Sequence, residues 1–459
     1  MLTRLRQVAG KVESVEGTAV SLAAADARIL PWAPKAKINV EMFKREPARR
    51  SLSKVGQIAG VKTFTDTFGL TMRGADGAAT VAPQWSKYLR ASGFAELELD
   101  SLDPSTITSG PVVHGETLTQ AVSGATGRAI IDTATGASVL YYIDLDTGTW
   151  DTTNTVTGGT SGATFTPATI NGHVGTAWEP FSHELSEVSI GSITNGPFDE
   201  GEIITGGTSA AKGVVFESTA DGASVLRFRP ISGTFVTTET ITGEGSSPAS
   251  TTSSSGETQS EVPSLSMANY EDGRRKAGRG CRGKVKLGIK VGEPVMMEFE
   301  FMGVEDGVSD VALLTGVNHE EDVPPIAIEA DLSLGGYSIA ATEIGIDLSN
   351  TLAPRPDFNY ENGARSVRIS ERDWTATIDP EAVRIAANDN YDHWYNNTLK
   401  ALDVTIGSTS GNQFRIYSKR LQYTDIDDGD RDGIATDPST FDLVGDVDNG
   451  DNEIVILAL

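Results

Sequence analysis

The chain has 459 residues, a formal net charge of −26 at pH 7 and one cysteine, Cys281. One cysteine excludes an intramolecular disulfide scaffold and is typical of assembly in a reducing cytoplasm. The negative charge disfavours proteins that wrap DNA or bind anionic membranes, because phosphates and headgroups would be repelled. No segment approaches the roughly 20 apolar residues of a membrane span, and no apolar run follows the basic N-terminus as in a signal peptide. We therefore expect a soluble protein.

Runs of alternating polarity between Gly, Asp and Asn residues predict a mainly antiparallel β-protein. The clearest strands, in chain order, are 139–143, 225–228, 285–289, 296–301 and 453–457. Two helices are expected. The first covers residues 83–91, ahead of a turn at Gly93. The second begins with Asp379 as its cap and Pro380 at its first position, and it continues, with a break near residues 388–390, through Trp394 to Leu399.

An internal repeat organises the middle of the chain. Gly110-Pro111 and the block Gly136-Ala137-Ser138-Val139-Leu140 recur as Gly196-Pro197 and Gly222-Ala223-Ser224-Val225-Leu226, at an offset of 86 (196 − 110). The repeat predicts two homologous small β modules, residues 110–165 and 196–250. The modules form an insertion, 110–255, in a host domain made of residues 1–109 and 256–459. Residues 166–195, between the two modules, could belong to the host domain. The Ser, Thr and Gly tract 245–260 predicts a flexible linker.

No constellation for catalysis is evident, so we expect no enzyme activity and no cofactor. The five histidines, His114, His173, His183, His319 and His393, are scattered singly, and no glycine-framed serine accompanies them.

One acidic segment partly matches a metal-binding motif. Asp428, Asp430 and Asp432 reproduce the first half of a calcium loop, but Ser439 stands where a bidentate glutamate is needed. A solvated turn is therefore favoured over a calcium site. The tract GRRKAGRGCRG at 273–283 lacks the Gly-Lys-Ser/Thr ending of a phosphate-binding loop and predicts a basic turn at a subunit contact.

The flanks of the insertion resemble the tail tube (major tail) proteins of long-tailed phages. The resemblance covers most of residues 1–109 and 261–459 and rests on the order and spacing of short motifs. These are Val15-Glu16-Gly17-Thr18-Ala19, the basic stretch 44–54, PQWSKYLRASGF at 83–94, Tyr270-Glu271-Asp272-Gly273, Phe299-Glu300-Phe301-Met302-Gly303 and Asp379-Pro380.

This resemblance implies a tail-tube-type β-sandwich or half-open barrel with one or two flanking helices. Six copies would close into a ring, and stacked rings would form a DNA conduit between capsid and host. The implied partners are other copies of the chain, a tape measure protein in the lumen, and tail terminator and baseplate or tip proteins at the ends. Genomic DNA would pass without specific binding, no membrane partner is expected, and the protein would belong to the virion tail after assembly in the host cytoplasm.

Charge suggests where subunits would meet. The basic segment containing Lys44, Arg45, Arg49, Arg50 and Lys54 is expected to contact an acidic surface of a neighbouring subunit or ring, for which segment 425–432 is a candidate. An ordinary solvated loop is the alternative for the basic segment.

Two other functions stay open. One is a different virion component with the same fold. The other is a surface β-protein that binds glycans through the modules containing Trp150 and Phe235. The second would require export, for which the sequence offers no signal.

Overall fold

A computed structural model describes residues 5–459 except 14, 52, 76–80, 145–148, 183–184, 200, 216–218, 220–224, 245–247, 261 and 447–449. The described chain is mainly β, with two short α-helices and a curled, half-barrel sheet. The predicted fold class is therefore confirmed.

The N-terminal part contributes four strands and two short helices. They are β1 (Arg6–Val12), a 3-10 helix η1 (Ala24–Ala27), β2 (Trp32–Phe43), β3 (Ile58–Thr71), α1 (Ser86–Arg90) and β4 (Phe94–Pro104).

The middle of the chain contributes thirteen strands. They are β5 (Thr117–Gln120), β6 (Thr126–Ala129), β7 (Leu140–Asp144), β8 (Val156–Gly158), β9 (Thr164–Phe165), β10 (Pro167–Pro180), β11 (Leu185–Ser189), β12 (Ile203–Gly206), β13 (Lys212–Val215), β14 (Val225–Ser232), β15 (Thr240–Thr242), β16 (Ser250–Thr252) and β17 (Thr258–Ser260).

The C-terminal part contributes the longest strands. The elements are β18 (Leu265–Glu271), β19 (Arg274–Lys290), β20 (Met296–Asp310), β21 (Asp331–Leu334), β22 (Tyr337–Ser338), β23 (Ala341–Pro356), β24 (Ala364–Pro380), α2 (Asn390–Tyr395), β25 (Lys400–Ile406), β26 (Phe414–Ile426), β27 (Gly429–Arg431), β28 (Ile434–Thr436), β29 (Ser439–Leu443) and β30 (Val455–Ala458).

Antiparallel strands β2, β3, β20, β19, β23, β24, β29 and β26, in that spatial order, form the half-barrel. Along one edge, β19 pairs with β18 through its first half and with β23 through its second half. The sheet therefore divides at the middle of β19. On the far side, β26 also pairs with β30, which leads through β10 to β4.

One face of the half-barrel packs on a core that α1 helps to fill. Alternate residues of β3, such as Phe64 and Phe68, are buried in this core, as strand geometry requires. The Tyr88 ring of α1 lies 5.3 Å from Phe68 and 5.8 Å from Phe301, edge-on to both. Each fully buried aromatic of this kind contributes about 1.5–3 kcal/mol. The predicted first helix is confirmed, although shorter than expected.

The glycines of the basic tract 273–283 are packing positions. Residues 274–283 lie within β19, so the prediction of a basic turn is wrong for them. A Cβ at Gly278 would lie 2.3 Å from Phe64 Cδ1, and one at Gly283 would lie 2.6 Å from Phe301 Cε1. Arg282 is buried and donates to Glu16 at 3.0 Å. The tract therefore lets a strand pass closely over aromatic rings.

The second predicted helix is wrong at its start. Asp379 and Pro380 end strand β24, in which Ile378 pairs with Ile344 of β23. Helix α2 begins at Asn390, where Asp389 Oδ1 accepts from the backbone N–H of Asp392 at 2.9 Å. Pairing with two neighbouring strands overrides the helix-start signal at 379, because local propensity is weak against tertiary contacts.

The backbone reproduces the internal repeat. Ser109 and Asn195 both have φ +67°, and the following glycines, Gly110 and Gly196, have φ +120° and +111°. The same offset relates two β-bridges, Val112–Thr133 and Phe198–Thr219. The two copies have separate apolar cores.

The two modules join the chain differently. Strand β7 of the first module pairs with β4, so this module continues the large sheet. The second module has its own seven-stranded sheet, in the order β16-β15-β12-β13-β14-β11-β17. Because β16 and β17 belong to that sheet, the prediction of a flexible linker is wrong for residues 250–260. Their backbone hydrogen bonds compensate for a low apolar content.

A buried glutamate braces a Gly-Gly-Thr-Ser turn in each module. Glu116 accepts hydrogen bonds from the backbone N–H groups of Thr160 and Ser161 at 3.0 and 2.9 Å. In the second module, Glu239 accepts hydrogen bonds from the backbone N–H groups of Thr208 and Ser209 at 3.1 and 2.9 Å. Hydrogen bonds to an ionised carboxylate are stronger than neutral ones, so these glutamates hold the module turns in place.

Candidate functional site

The β2–β3 hairpin extends past the half-barrel as an arm. Strand β3 pairs with β20 from Thr63 to Thr71, whereas residues 58–62 lie outside that pairing. Among the described strands, β2 pairs with β3 alone, and Arg6 and Lys276 donate hydrogen bonds to the carbonyl oxygens of Pro34 and Ala36 near the start of β2. A free strand edge exposes backbone groups that can pair with another chain. The arm is therefore a candidate assembly surface.

Exposed apolar side chains cover this arm. Phe43 is 68% exposed, Ile58 52%, Met42 47% and Val40 41%. A cluster of this kind on a projecting hairpin indicates a protein contact. Burying it would contribute about 25 cal/mol per Å² of apolar area.

The predicted interface residues lie at the tip of the arm. Lys44, Arg45, Arg49, Arg50 and Lys54 are all exposed in the loop that joins β2 to β3. Their contact with another subunit stays a prediction.

The acidic segment 425–432 leads into a small exposed hairpin. Strands β27 and β28 are joined by Asp432 and Gly433, with φ +53° and +85°. Asp430 Oδ1 accepts from the Gly433 backbone N–H at 3.3 Å. Asp428, Asp430 and Asp432 are exposed, and among the described residues no three His, Cys, Asp or Glu side chains are grouped to hold a metal ion. The preference for a solvated turn over a calcium site stays a prediction.

Helix α2 lies beside this hairpin. Burial and the negative charges of Asp428 and Asp437 raise the pKa of Tyr391 on α2, which indicates that the acidic segment and the helix are close. Tyr395, at the end of α2, is 74% exposed, and Ile434 of β28 is 47% exposed. This surface combines acidic and apolar groups, as the arm combines basic and apolar groups.

The second face of the half-barrel is open and carries both lysines and carboxylates. Within residues 284–290, 296–302 and 343–349 it has three lysines and four carboxylates. In register, Glu298 lies beside Lys286, and Lys286 lies beside Asp347. Three ion pairs cross the strands: Lys286–Asp347 at 2.5 Å, Lys284–Glu300 at 3.3 Å and Lys290–Glu343 at 3.7 Å.

The four histidines within the described residues do not converge on one site. His319 Nδ1 lies 3.0 Å from the Arg28 carbonyl oxygen, and His173 Nδ1 lies 3.3 Å from Glu98 Oε1. His183 lies outside the described residues. Trp150 and Phe235 are buried in the module cores, so their rings are not available to stack on a sugar. Glycan binding by other parts of the modules stays an untested alternative.

The sequence profile of the phage tail tube protein family matches residues 149–445, which is more than half of the chain. The chain belongs to the phage tail tube protein family. The match includes the second module and most of the C-terminal part, and it does not include residues 1–148. No match to this chain was found among curated proteins.

As a tail tube protein, the chain is a structural component of the phage tail. None of the helices in the described residues is long and apolar enough to cross a bilayer. The sequence reasoning identified the basic tip of the arm, but it missed the apolar arm beneath it and the paired charges of the open face. Alternation along β19 and β20 was visible in the sequence, whereas the side-by-side register of the lysines and carboxylates was not.

Proposed function

We propose that this tail tube protein closes into six-membered rings, and that stacked rings form the channel through which DNA leaves the capsid. The family membership supports the tube, and the free edge of β2 supports its closure by identical neighbours. Cyclic closure pairs such edges around a ring. Residues 1–109 and 262–459 would form most of the tube wall. The two modules, the second of which includes β11, β16 and β17, would project outward, because an insertion of this length would block the channel.

The arm is proposed to dock on the acidic surface of a neighbouring subunit. Its apolar residues would contact the α2 region, and its basic tip would lie against Asp428, Asp430 and Asp432. Exposed ion pairs contribute only about 0–1 kcal/mol each. Repetition around each ring and along the tube multiplies this contribution.

Charge reversal tests this contact. The double variant Arg49→Glu, Arg50→Glu is expected to abolish rings and tubes in negative-stain micrographs while the monomer keeps its circular dichroism spectrum. Adding Asp428→Lys and Asp430→Lys should restore assembly, because the opposite charges are exchanged. As a control, Lys11→Glu and Lys212→Glu reverse two exposed charges elsewhere and should leave assembly intact. Normal tubes from the double variant would refute the contact, and monomers of the unaltered protein at every concentration would refute the ring.

The open face of the half-barrel is proposed to line the channel. DNA carries about one negative charge per 1.7 Å of duplex. A channel face whose lysines were not paired with carboxylates would therefore attract the DNA and slow its passage. On the open face each lysine is paired with a carboxylate, and one carboxylate is in excess, so passing DNA would meet little attraction.

The double variant Glu298→Lys, Asp347→Lys tests the channel face. It places three lysines side by side on β20, β19 and β23, and virions carrying it are expected to eject DNA more slowly. Asp199→Lys, on an exposed position of the second module, is the control and should eject at the normal rate. An unchanged rate in the double variant would discard this role of the face.

The remaining partners are proposed from the family. A tape measure protein would occupy the lumen, and terminator and baseplate or tip proteins would cap the ends. Assembly is proposed to take place in the host cytoplasm. The alternative of another virion component with this fold would be favoured by tails whose tube consists of a different protein.

A further inference from the structure

A cleft of about 370 Å³ lies between the two modules and the tube wall. Arg128 of the first module and Arg229 of the second line it, together with His114, Phe181 and Asp451. Its volume falls within the range of small-molecule sites.

Both arginines approach one buried carboxylate at the end of β10. Arg128 donates two hydrogen bonds to Glu179, at 3.0 and 2.6 Å. Arg229 Nη1 lies 3.9 Å from Glu179 Oε2, which is beyond hydrogen-bond distance. The Arg229 side chain is 34% exposed, so its remaining N–H groups can face the cleft.

The repeat gives an internal comparison for these two positions. At the offset of 86, Arg128 corresponds to Val214 and Arg229 corresponds to Ile143. The module framework therefore forms with an aliphatic residue at either position. The module fold therefore does not require the two arginines, which occur where the modules meet at the cleft.

Arg229 is the less well paired of the two cleft arginines, because Arg128 makes two hydrogen bonds to Glu179 and Arg229 makes one contact at 3.9 Å. Burial alone would raise the pKa of Glu179, but Arg128, Arg229 and His114 together lower it to about 2, so Glu179 is ionised. Glu179 thus faces two guanidinium groups. Burial lowers the pKa of Arg229, and Glu179 and Asp451 both oppose this effect, so a second carboxylate lies near Arg229. Asp451 is held by Arg372 and by the backbone N–H of Ser182. A partly desolvated guanidinium without close acceptors favours binding of an anion.

His114 supplies a second polar group. It is 6% exposed, its Nδ1 contacts the carbonyl oxygen of Ile130, and its buried Nε2 has no hydrogen-bond partner among the described residues. Burial lowers the pKa of His114, so the ring is neutral at pH 7. Because a carbonyl oxygen can only accept, Nδ1 carries the hydrogen and Nε2 presents a lone pair. That lone pair fits a hydroxyl donor.

We propose that the cleft binds an acidic sugar, either free or as a residue of a polysaccharide. Its carboxylate would pair with Arg229, one hydroxyl would donate to His114 Nε2, and its C–H groups would contact Phe181 and Pro230. This binding needs the two modules and the tube wall in place, but it does not depend on six-fold assembly. A ligand with both an anion and a hydroxyl uses both free polar groups of the cleft.

Isothermal titration of the full-length protein tests the site. Galacturonate is expected to bind at least about tenfold more tightly than galactose, which lacks the carboxylate, a difference of about 1.4 kcal/mol. Arg229→Met should remove this advantage. Lys212→Met, which removes an exposed charge from the same module, should keep it. Inorganic phosphate binding as tightly as galacturonate would overturn the sugar assignment, and so would undetectable binding of galacturonate.

His114→Phe tests the hydroxyl contact separately. It keeps an aromatic ring at this position but removes Nε2. It is expected to weaken the binding of galacturonate several-fold while leaving the weak binding of acetate unchanged. Equal losses for both ligands would overturn the role of Nε2. Oligogalacturonate should bind at least as tightly as the monosaccharide if the cleft accepts a polymer residue, and weaker binding would restrict the site to free sugars. Unchanged circular dichroism and thermal unfolding of each variant show that the cleft is intact.

Discussion

Asp66 lies on β3, and its side chain is in the core beneath the proposed channel face. Replacing Asp66 by asparagine is expected to stabilise the protein at pH 8 but not at pH 4. The residue is 0% exposed. Its Oδ1 accepts from Asn269 Nδ2 at 3.1 Å, and its Oδ2 has no hydrogen-bond partner among the described residues. Burial raises the pKa of Asp66 from 3.8 to about 7, against the smaller lowering effects of Asn269 and Lys276.

The size of the effect follows from this difference. Each pKa unit corresponds to about 1.4 kcal/mol, so the rise from 3.8 to about 7 represents about 4 kcal/mol. Below pH 3.8 the Asp66 carboxyl is protonated in both the folded and the unfolded chain, so its ionisation does not lower the free energy of unfolding. As the pH rises towards 7, the unfolded chain releases the proton while the folded chain keeps it, so the free energy of unfolding falls. The full loss is reached above pH 7.

Urea denaturation of the unassembled protein at pH 4, 6 and 8 measures this loss. Asn at position 66 keeps the shape and the bond from Asn269 but cannot ionise, so Asp66→Asn should recover up to about 4 kcal/mol at pH 8 and nearly nothing at pH 4. Glu300→Gln removes a carboxylate from the open face and should not reproduce this pH dependence. An Asp66→Asn variant that is equally destabilised at pH 4 and pH 8 would refute the reasoning.

Two further predictions concern packing and turns. Gly278→Ala should lower the free energy of unfolding by about 1–3 kcal/mol, because the new Cβ would lie 2.3 Å from Phe64. Gly288→Ala is the matched control, since it lies on the same strand and its Cβ would have no atom within 4 Å. Equal stabilities of the two variants in urea would contradict the packing argument. Glu239→Ala should lower the free energy of unfolding by about 1–3 kcal/mol and should speed amide hydrogen exchange in the turn at 206–209. Amides of β19 and β20 should exchange as before. Unchanged exchange in the turn would show that the carboxylate does not stabilise it.

Much of the fold could be predicted because its signals are local. Alternation of apolar and polar residues gave the strands, and a match of sequence blocks gave the repeat, whose backbone angles agree at Ser109 and Asn195. The basic tip of the arm was also visible, since a run of lysines and arginines needs no partner to be recognised.

Other features could not be predicted because they depend on distant segments. The helix signal at Asp379 was overridden by pairing of β24 with β23 and β29. The polar tract 250–260 folds because other strands of the second module accept its backbone hydrogen bonds.

The sequence by itself determined a mainly β chain with a duplicated module and a basic segment, because periodicity, repetition and charge are properties of neighbouring residues. The tertiary structure decided which residues meet. It placed Lys286 between Glu298 and Asp347, buried Asp66, and brought Arg128 and Arg229 of different modules to one glutamate. These groups lie in different strands, so strand register and the packing of the modules on the tube wall set the distances between them.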